Sequence, residues 1–213
     1  MQDFIDGFSQ FRRRYYEDDP ALFEALVREG QSPRIMVVSC CDSRVDPGLL
    51  FGARPGELFA VRNVANLVPP YEPDGGRHGT SAALEFAVGT LGVERIVVLG
   101  HARCGGVQAL LQGVDGGGGG EFIPAWMAIA RTARDRALAL TLTAGQPMSA
   151  AQRICEQEVV AISLANLMTF PKIRQKVEAK ELTLHGWYFD LVAGHLLYLD
   201  PMTNAYKRLE KAF

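Results

Sequence analysis

Phe4, Phe8, Phe11 and Tyr15 recur at spacings of four, three and four. That is the repeat of one helical face, so the chain opens on an amphipathic helix with Arg12, Arg13 and Arg14 mostly off its apolar side. The arginines read as a solvated flank. Pro20 and Gly30 bracket a second short helix, proline at its start and glycine past its end. The pattern then changes. Arg34–Ser39 and Arg95–Leu99 are short apolar runs rich in β-branched residues, and ELFAVRN (57–63) is a further strand.

Asp46-Pro47 supplies an N-cap and first helical position for a helix to about Phe51. The Pro- and Gly-rich segment 66–80 is a loop. Thr80 or Ser81 caps a helix to about Leu91, ended by Gly92. A short helix leads from Gly106 into Val114. The run Gly116–Gly120 is a flexible surface loop, because no Lys-Ser/Thr follows it as a phosphate cradle requires. Pro124 to about Leu140 is helical, and Ser149 with Gln152 forms a capping box for a long helix to about Met168. The tail 182–200 holds two strand-like runs about a turn at Val192–Gly194. No internal repeat is visible.

Strand, helix and strand in short succession predict an α/β fold. The expected architecture is a mostly parallel central β-sheet with an antiparallel edge strand, helices on both faces and an extended N-terminal helical arm. Residues 1–30 are expected to form the arm and residues 31–213 the main domain. At 213 residues the chain is long enough for one sizeable core. Its 22 basic and 24 acidic residues leave a formal charge of −2, which argues against nucleic acid or an acidic membrane as partner. No apolar run approaches the roughly 20 residues that span a bilayer. The first ten residues lack a basic region followed by an apolar one, so a cytoplasmic location is expected. Four unevenly spaced cysteines then suggest reduced thiols and ligands.

Cys40 follows the run RIMVVS, His101 follows RIVVLG, and Cys104 comes three residues later. In an open α/β sheet, ligands gather outside the carboxyl ends of the strands. Two strands thus deliver a thiol, an imidazole and a second thiol to one place. These are donors that Zn²⁺ takes in tetrahedral geometry, and three protein donors leave a fourth position for chemistry. Asp42 and Arg44 follow directly, a carboxylate with a guanidinium placed to hold it by a bidentate pair. Cys41 alternates to the other face and, like Cys155, is expected in the core. His78, His185 and His195 lack a thiol companion and are expected to be structural or on the surface.

These residues resemble the β-class carbonic anhydrases. The likeness runs through QSPRIMVVSCCDSRVDP, ELFAVRNVANLVPPY, GTSAALEFAV, RIVVLGHARCGG and LTLHGWYFD, in that order, and covers most of residues 31–190. It implies reversible hydration of CO₂ to bicarbonate and a proton through a zinc-bound hydroxide. Cys40, His101 and Cys104 would bind the zinc, and Asp42 with Arg44 would be the catalytic pair. Gln31, Phe59, Val64, Phe86 and Gly105 would line the substrate pocket. Phe86 departs from the tyrosine of plant members, although Gln31 and the apolar wall make the chain more like the plant-type branch. The resemblance also implies a homodimer or a dimer-based higher oligomer, with N-terminal helices reaching a neighbouring subunit.

Two thiolates leave a metal less electron-poor than three imidazoles do, so activity rising towards alkaline pH is expected. Asp42 would compete for the open position at lower pH if Arg44 released it. Other readings remain: hydrolysis of CS₂ or COS on the same scaffold, a non-catalytic zinc protein, or a thiol nucleophile at Cys40 or Cys104.

Overall fold

The computed structural model describes residues 1–113 and 120–209. Val114, where the short helix was expected to end, and Gly116–Gly119 of the glycine run lie outside them. The elements are α1 (Gln2–Arg12), α2 (Ala21–Glu29), β1 (Ile35–Cys40), α3 (Pro47–Phe51), β2 (Leu58–Asn63), α4 (Gly79–Phe86), β3 (Arg95–His101), α5 (Gly105–Leu111), α6 (Phe122–Met127), α7 (Arg131–Thr143), α8 (Met148–Leu167), α9 (Pro171–Glu178), β4 (Thr183–Asp190), β5 (His195–Asp200) and β6 (Ala205–Arg208).

The strands form one sheet in the order β2-β1-β3-β4-β5-β6. β2, β1, β3 and β4 are parallel, and β5 and β6 are antiparallel additions. The expected edge hairpin is therefore one strand wider. β6 is four residues of AYKR with no apolar run, which hides it from a periodicity search. Its Tyr206 is held where the hydroxyl donates to the Gln157 carbonyl at 3.1 Å.

Alternate residues of β1 and β3 face two cores. Met36, Val38, Ile96 and Val98 meet Leu84, Val160, Leu167 and Ile173 from α4, α8 and α9, and Val88 from the π turn Ala87–Leu91 that follows α4. Val37, Val97 and Leu99 are packed with Leu50 and Phe51 of α3 on the other face. Gly100 lets α8 lie directly on β3, since a Cβ there would sit 2.6 Å from Val160 Cγ2.

Several expected boundaries move for local reasons. α4 starts after His78, and the Thr80 hydroxyl instead accepts from Asn63 Nδ2 at 3.3 Å. The capping box is not formed: α8 begins after Pro147, Ser149 lies inside it, and Gln152 turns to Glu156. The helix expected over 124–140 breaks into α6, a 3₁₀ turn at Ala128–Ala130 and α7. In the arm, a π turn at Arg13–Asp18 follows α1. Phe11 and Tyr15 pack on Phe23 of α2, both with centroids 5.6 Å from it, whereas Phe4 and Phe8 are 81% and 63% exposed.

Candidate metal centre and active site

Cys40 is the last residue of β1 and His101 the last of β3, neighbouring parallel strands. Cys104 joins them because Arg103 takes a left-handed φ of 56°, doubling the chain back so that Cys104 becomes the N-cap of α5. All three side chains are buried, and their ligand atoms lie within 4.8 Å of one another. The pattern at the strand ends is thus realised as a single cluster.

The cluster suits a borderline dication. His101 Nδ1 donates to the Ala102 carbonyl at 2.9 Å, so the lone pair belongs to Nε2. That Nε2 is buried and has no hydrogen-bond partner. A buried polar atom without a partner is costly, and a metal is what a ring fixed in this tautomer serves. Cys104 is pushed up by its hydrogen bond to Cys40 and by burial. Cys40 is drawn well below the thiol range, first by Cys104, then by His101 and the backbone N–H groups of Asp42 and Ala65. For His101, burial lowers the pKa but the neighbouring Cys40 sulfur outweighs it, and the net shift is upward.

Asp42 and Arg44 form the expected bidentate pair. Arg44 Nε donates to Asp42 Oδ1 at 2.9 Å and Nη2 to Oδ2 at 2.7 Å, while the Arg44 backbone N–H adds a bond to Oδ1 at 2.9 Å. These donors hold the Asp42 carboxyl well below the usual carboxylate range. Arg44 Nη2 also reaches the Arg103 carbonyl at 3.2 Å, joining the loop after β1 to the turn before Cys104.

The pocket residues divide. Val64 lies against Gly106, where a Cβ would come 2.8 Å from its Cγ1, and Gly105 is exposed beside it. Phe59 and Phe86 pack on each other, centroids 6.0 Å apart, but Phe59 pairs with Met36 whereas Asn63 pairs with Cys40. Four residues of strand, roughly 13 Å, separate them from the metal end. Gln31 is exposed and precedes the start of β1, at the opposite end of the sheet from Cys40. Cys41, expected in the core, is exposed instead, because the strand ends at Cys40 and its alternation with it. Cys155 is fully buried as expected. His78 pairs with Asp74 at 2.6 Å, and His185 with the Thr183 hydroxyl at 2.8 Å.

Sequence reasoning missed four supporting residues. Arg62 donates to the carbonyls of Cys40 (3.1 Å) and Asp42 (2.8 Å), pinning the loop that carries Asp42. Asn63 clasps Leu67, its amide bonding both the backbone N–H and the carbonyl of that residue. Trp126 and Glu156 approach from the helices. Only Arg62 left a signal, a charged residue inside an apolar strand.

An open α/β sheet whose parallel strands end in a buried Cys/His/Cys cluster defines a metal-site enzyme fold. The carbonic anhydrase family model matches residues 35–196, and the chain belongs to the β class of that family. The chloroplastic β carbonic anhydrase 5 of Arabidopsis thaliana is 40% identical over 194 residues, 90% of this chain. The chain spans 62% of that relative's length. The solved β-carbonic anhydrase CcaA superimposes with a TM-score of 0.90 at 30% identity, covering 100% of this chain and 93% of its own. A chain from the crystal structures of two tetrameric β-carbonic anhydrases of Sordaria macrospora gives a TM-score of 0.76 at 29% identity, covering 93% of this chain and 94% of its own. Among the described residues, no helix is long and apolar enough to cross a membrane.

Proposed function

We propose that the chain is a zinc-dependent carbonic anhydrase interconverting CO₂ and water with bicarbonate and a proton, with Cys40, His101 and Cys104 holding the metal. The observation that carries this reading is the buried, unpartnered Nε2 of His101 within 4.8 Å of two cysteine sulfurs. Zinc held by three protein donors supplies a Lewis acid that brings the ionisation of water towards the working pH, less strongly with two thiolates than with three imidazoles.

The protein groups have distinct tasks. Asp42, kept ionised by Arg44, can only accept, so it takes the hydrogen bond of a hydroxyl group on bicarbonate and orients it. Arg44 fixes that carboxylate and ties it to the Cys104 turn. Val64 gives apolar CO₂ a wall without donors that would retain the product. Gln31, Phe59 and Phe86 stand too far along the sheet to act at their own chain's metal, so their role belongs to the centre of a second copy. The exposed Phe4, Ile5 and Phe8 give such a copy an apolar surface, and tetrameric relatives support assembly.

The test is stopped-flow CO₂ hydration on wild type, Cys104→Ala and Asp42→Asn, with zinc measured in each. Full activity without zinc would overturn the reading in favour of thiol chemistry. Activity on CS₂ or COS but not CO₂ would assign the scaffold to those substrates.

A further inference from the structure

Glu156 lies on α8 with only 3% of its surface exposed. Its carboxylate collects three hydrogen bonds from neutral donors. Oε1 accepts from the Cys104 backbone N–H at 2.9 Å and from Gln152 Nε2 at 3.0 Å. Oε2 accepts from the hydroxyl of Tyr188, itself buried, at 2.7 Å. Burying a carboxylate is expensive, and an aliphatic side chain at this depth would pack at lower cost. Something must offset that cost.

The place of the bond indicates what. Cys104 follows the left-handed Arg103 and precedes the first turn of α5, so its peptide sits at a sharp bend with no side-chain cap. Its buried N–H would be left without an acceptor if Glu156 were absent. Gly100 brings α8 against β3, and Tyr188 pairs with Gly100 from the neighbouring β4, so the hydroxyl that holds the carboxylate comes from the strand beside the one that carries His101.

We propose that Glu156 is a positioning residue for the metal centre: by accepting from the Cys104 peptide it fixes the direction in which Cys104 Sγ meets Cys40 and His101. This rests on the reading that those three residues hold zinc. Gln152 and Tyr188 hold the carboxylate in turn. A residue that merely packed the core would change stability without changing how the folded protein holds metal.

The experiment measures zinc affinity by chelator competition, and the thiolate-to-cobalt absorption of the cobalt-substituted protein, for wild type, Glu156→Ala, Glu156→Gln and Tyr188→Phe. Thermal melting establishes that each is folded. Glu156→Ala is expected to bind zinc about 10–100-fold more weakly with an altered cobalt band, the size typical of groups that orient metal ligands. Glu156→Gln should recover to within a few-fold of wild type. Its amide oxygen still accepts the Cys104 N–H, and its amide nitrogen donates to the Tyr188 oxygen. A folded Glu156→Ala with wild-type affinity and cobalt band overturns the proposal, as does Glu156→Gln as weak as Glu156→Ala, which would assign the effect to charge. If Glu156→Ala does not fold, Tyr188→Phe decides: weaker zinc binding supports the proposal and an unchanged affinity overturns it. A wild type that binds no zinc would sink the functional reading itself, and this inference with it.

Discussion

The indole Nε1–H of Trp126 donates to the carbonyl oxygen of Val64 at 2.8 Å. The N–H of the same peptide, belonging to Ala65, hydrogen-bonds the Cys40 sulfur. One peptide therefore links α6 to a metal-site thiol. It lies in a turn where Ala65 and Asn66 take φ values of 64° and 48°, left-handed conformations that cost about 1–3 kcal/mol each for ordinary residues. Trp126, Asn63 and Ser163, whose hydroxyl donates to the Asn66 carbonyl at 3.2 Å, hold that turn.

Trp126→Phe keeps an aromatic ring but removes the indole N–H together with part of the bicycle. We expect a loss of about 1 kcal/mol for the partly buried hydrogen bond, with a further loss from packing, in urea unfolding. Zinc release should accelerate as the Ala65 donor loosens. Unchanged unfolding and zinc release would show that the turn holds without Trp126.

Asp42→Asn preserves shape but removes the charge that grips Arg44. CO₂ hydration should fall about 10–100-fold at unchanged zinc content, as for other groups that orient a metal site. Stopped-flow rates with metal analysis on the same sample check this. The wild-type rate should climb from about pH 6.5 upwards, because two thiolates oppose the ionisation of water. A profile already flat at that pH would contradict it.

Mixed oligomers test whether the pocket is shared. Cys104→Ala subunits lack a metal ligand but keep Phe59, and Phe59→Ala subunits have the reverse defect. Co-refolding the two should restore hydration above either alone, since one subunit's metal then meets the other's Phe59. No recovery in verified mixed oligomers would place the whole pocket within one chain.

Asp200 gives stability a defined acid limit. Lys207 first, then the amides of Met202 and Thr203, lower its carboxyl to about 2, against roughly 3.9 in an unfolded chain. A depressed folded pKa means a contribution fully present above about pH 4 and lost as pH falls towards 2. Asp200→Asn should therefore melt below wild type at neutral pH, with the difference closing across that window.

Gly100→Ala would push a methyl group to 2.6 Å from Val160 Cγ2. Overpacking of this kind costs about 1–3 kcal/mol, and the neighbouring His101 makes metal content a second readout. Wild-type melting would mean that α8 moves freely, contrary to its close seat on β3.

Local chemistry made much of the site legible. Asp46 capping Leu49 N at 2.9 Å, the Asp42–Arg44 pair and the strand ends at Cys40 and His101 all act over a few residues, where side-chain type and spacing decide the outcome. β6 and the break between α6 and α7 were not legible, because distant partners decide them. Tyr206 is held by Gln157, and Trp126 at the end of α6 is held by Val64, 62 positions earlier.

The sequence by itself determined which atoms the centre contains: two thiols, an imidazole and a clamped carboxylate, each placed by the end of an apolar run or a step of two or three residues from it. Only the tertiary structure decided what supports them and what they can reach. α8 brings Glu156 to the Cys104 peptide across 52 positions, and the parallel register keeps Phe59 four residues short of the metal end. Hydrogen bonds and strand registers between distant segments depend on how helices seat on the sheet, and no local pattern of side chains encodes that seat.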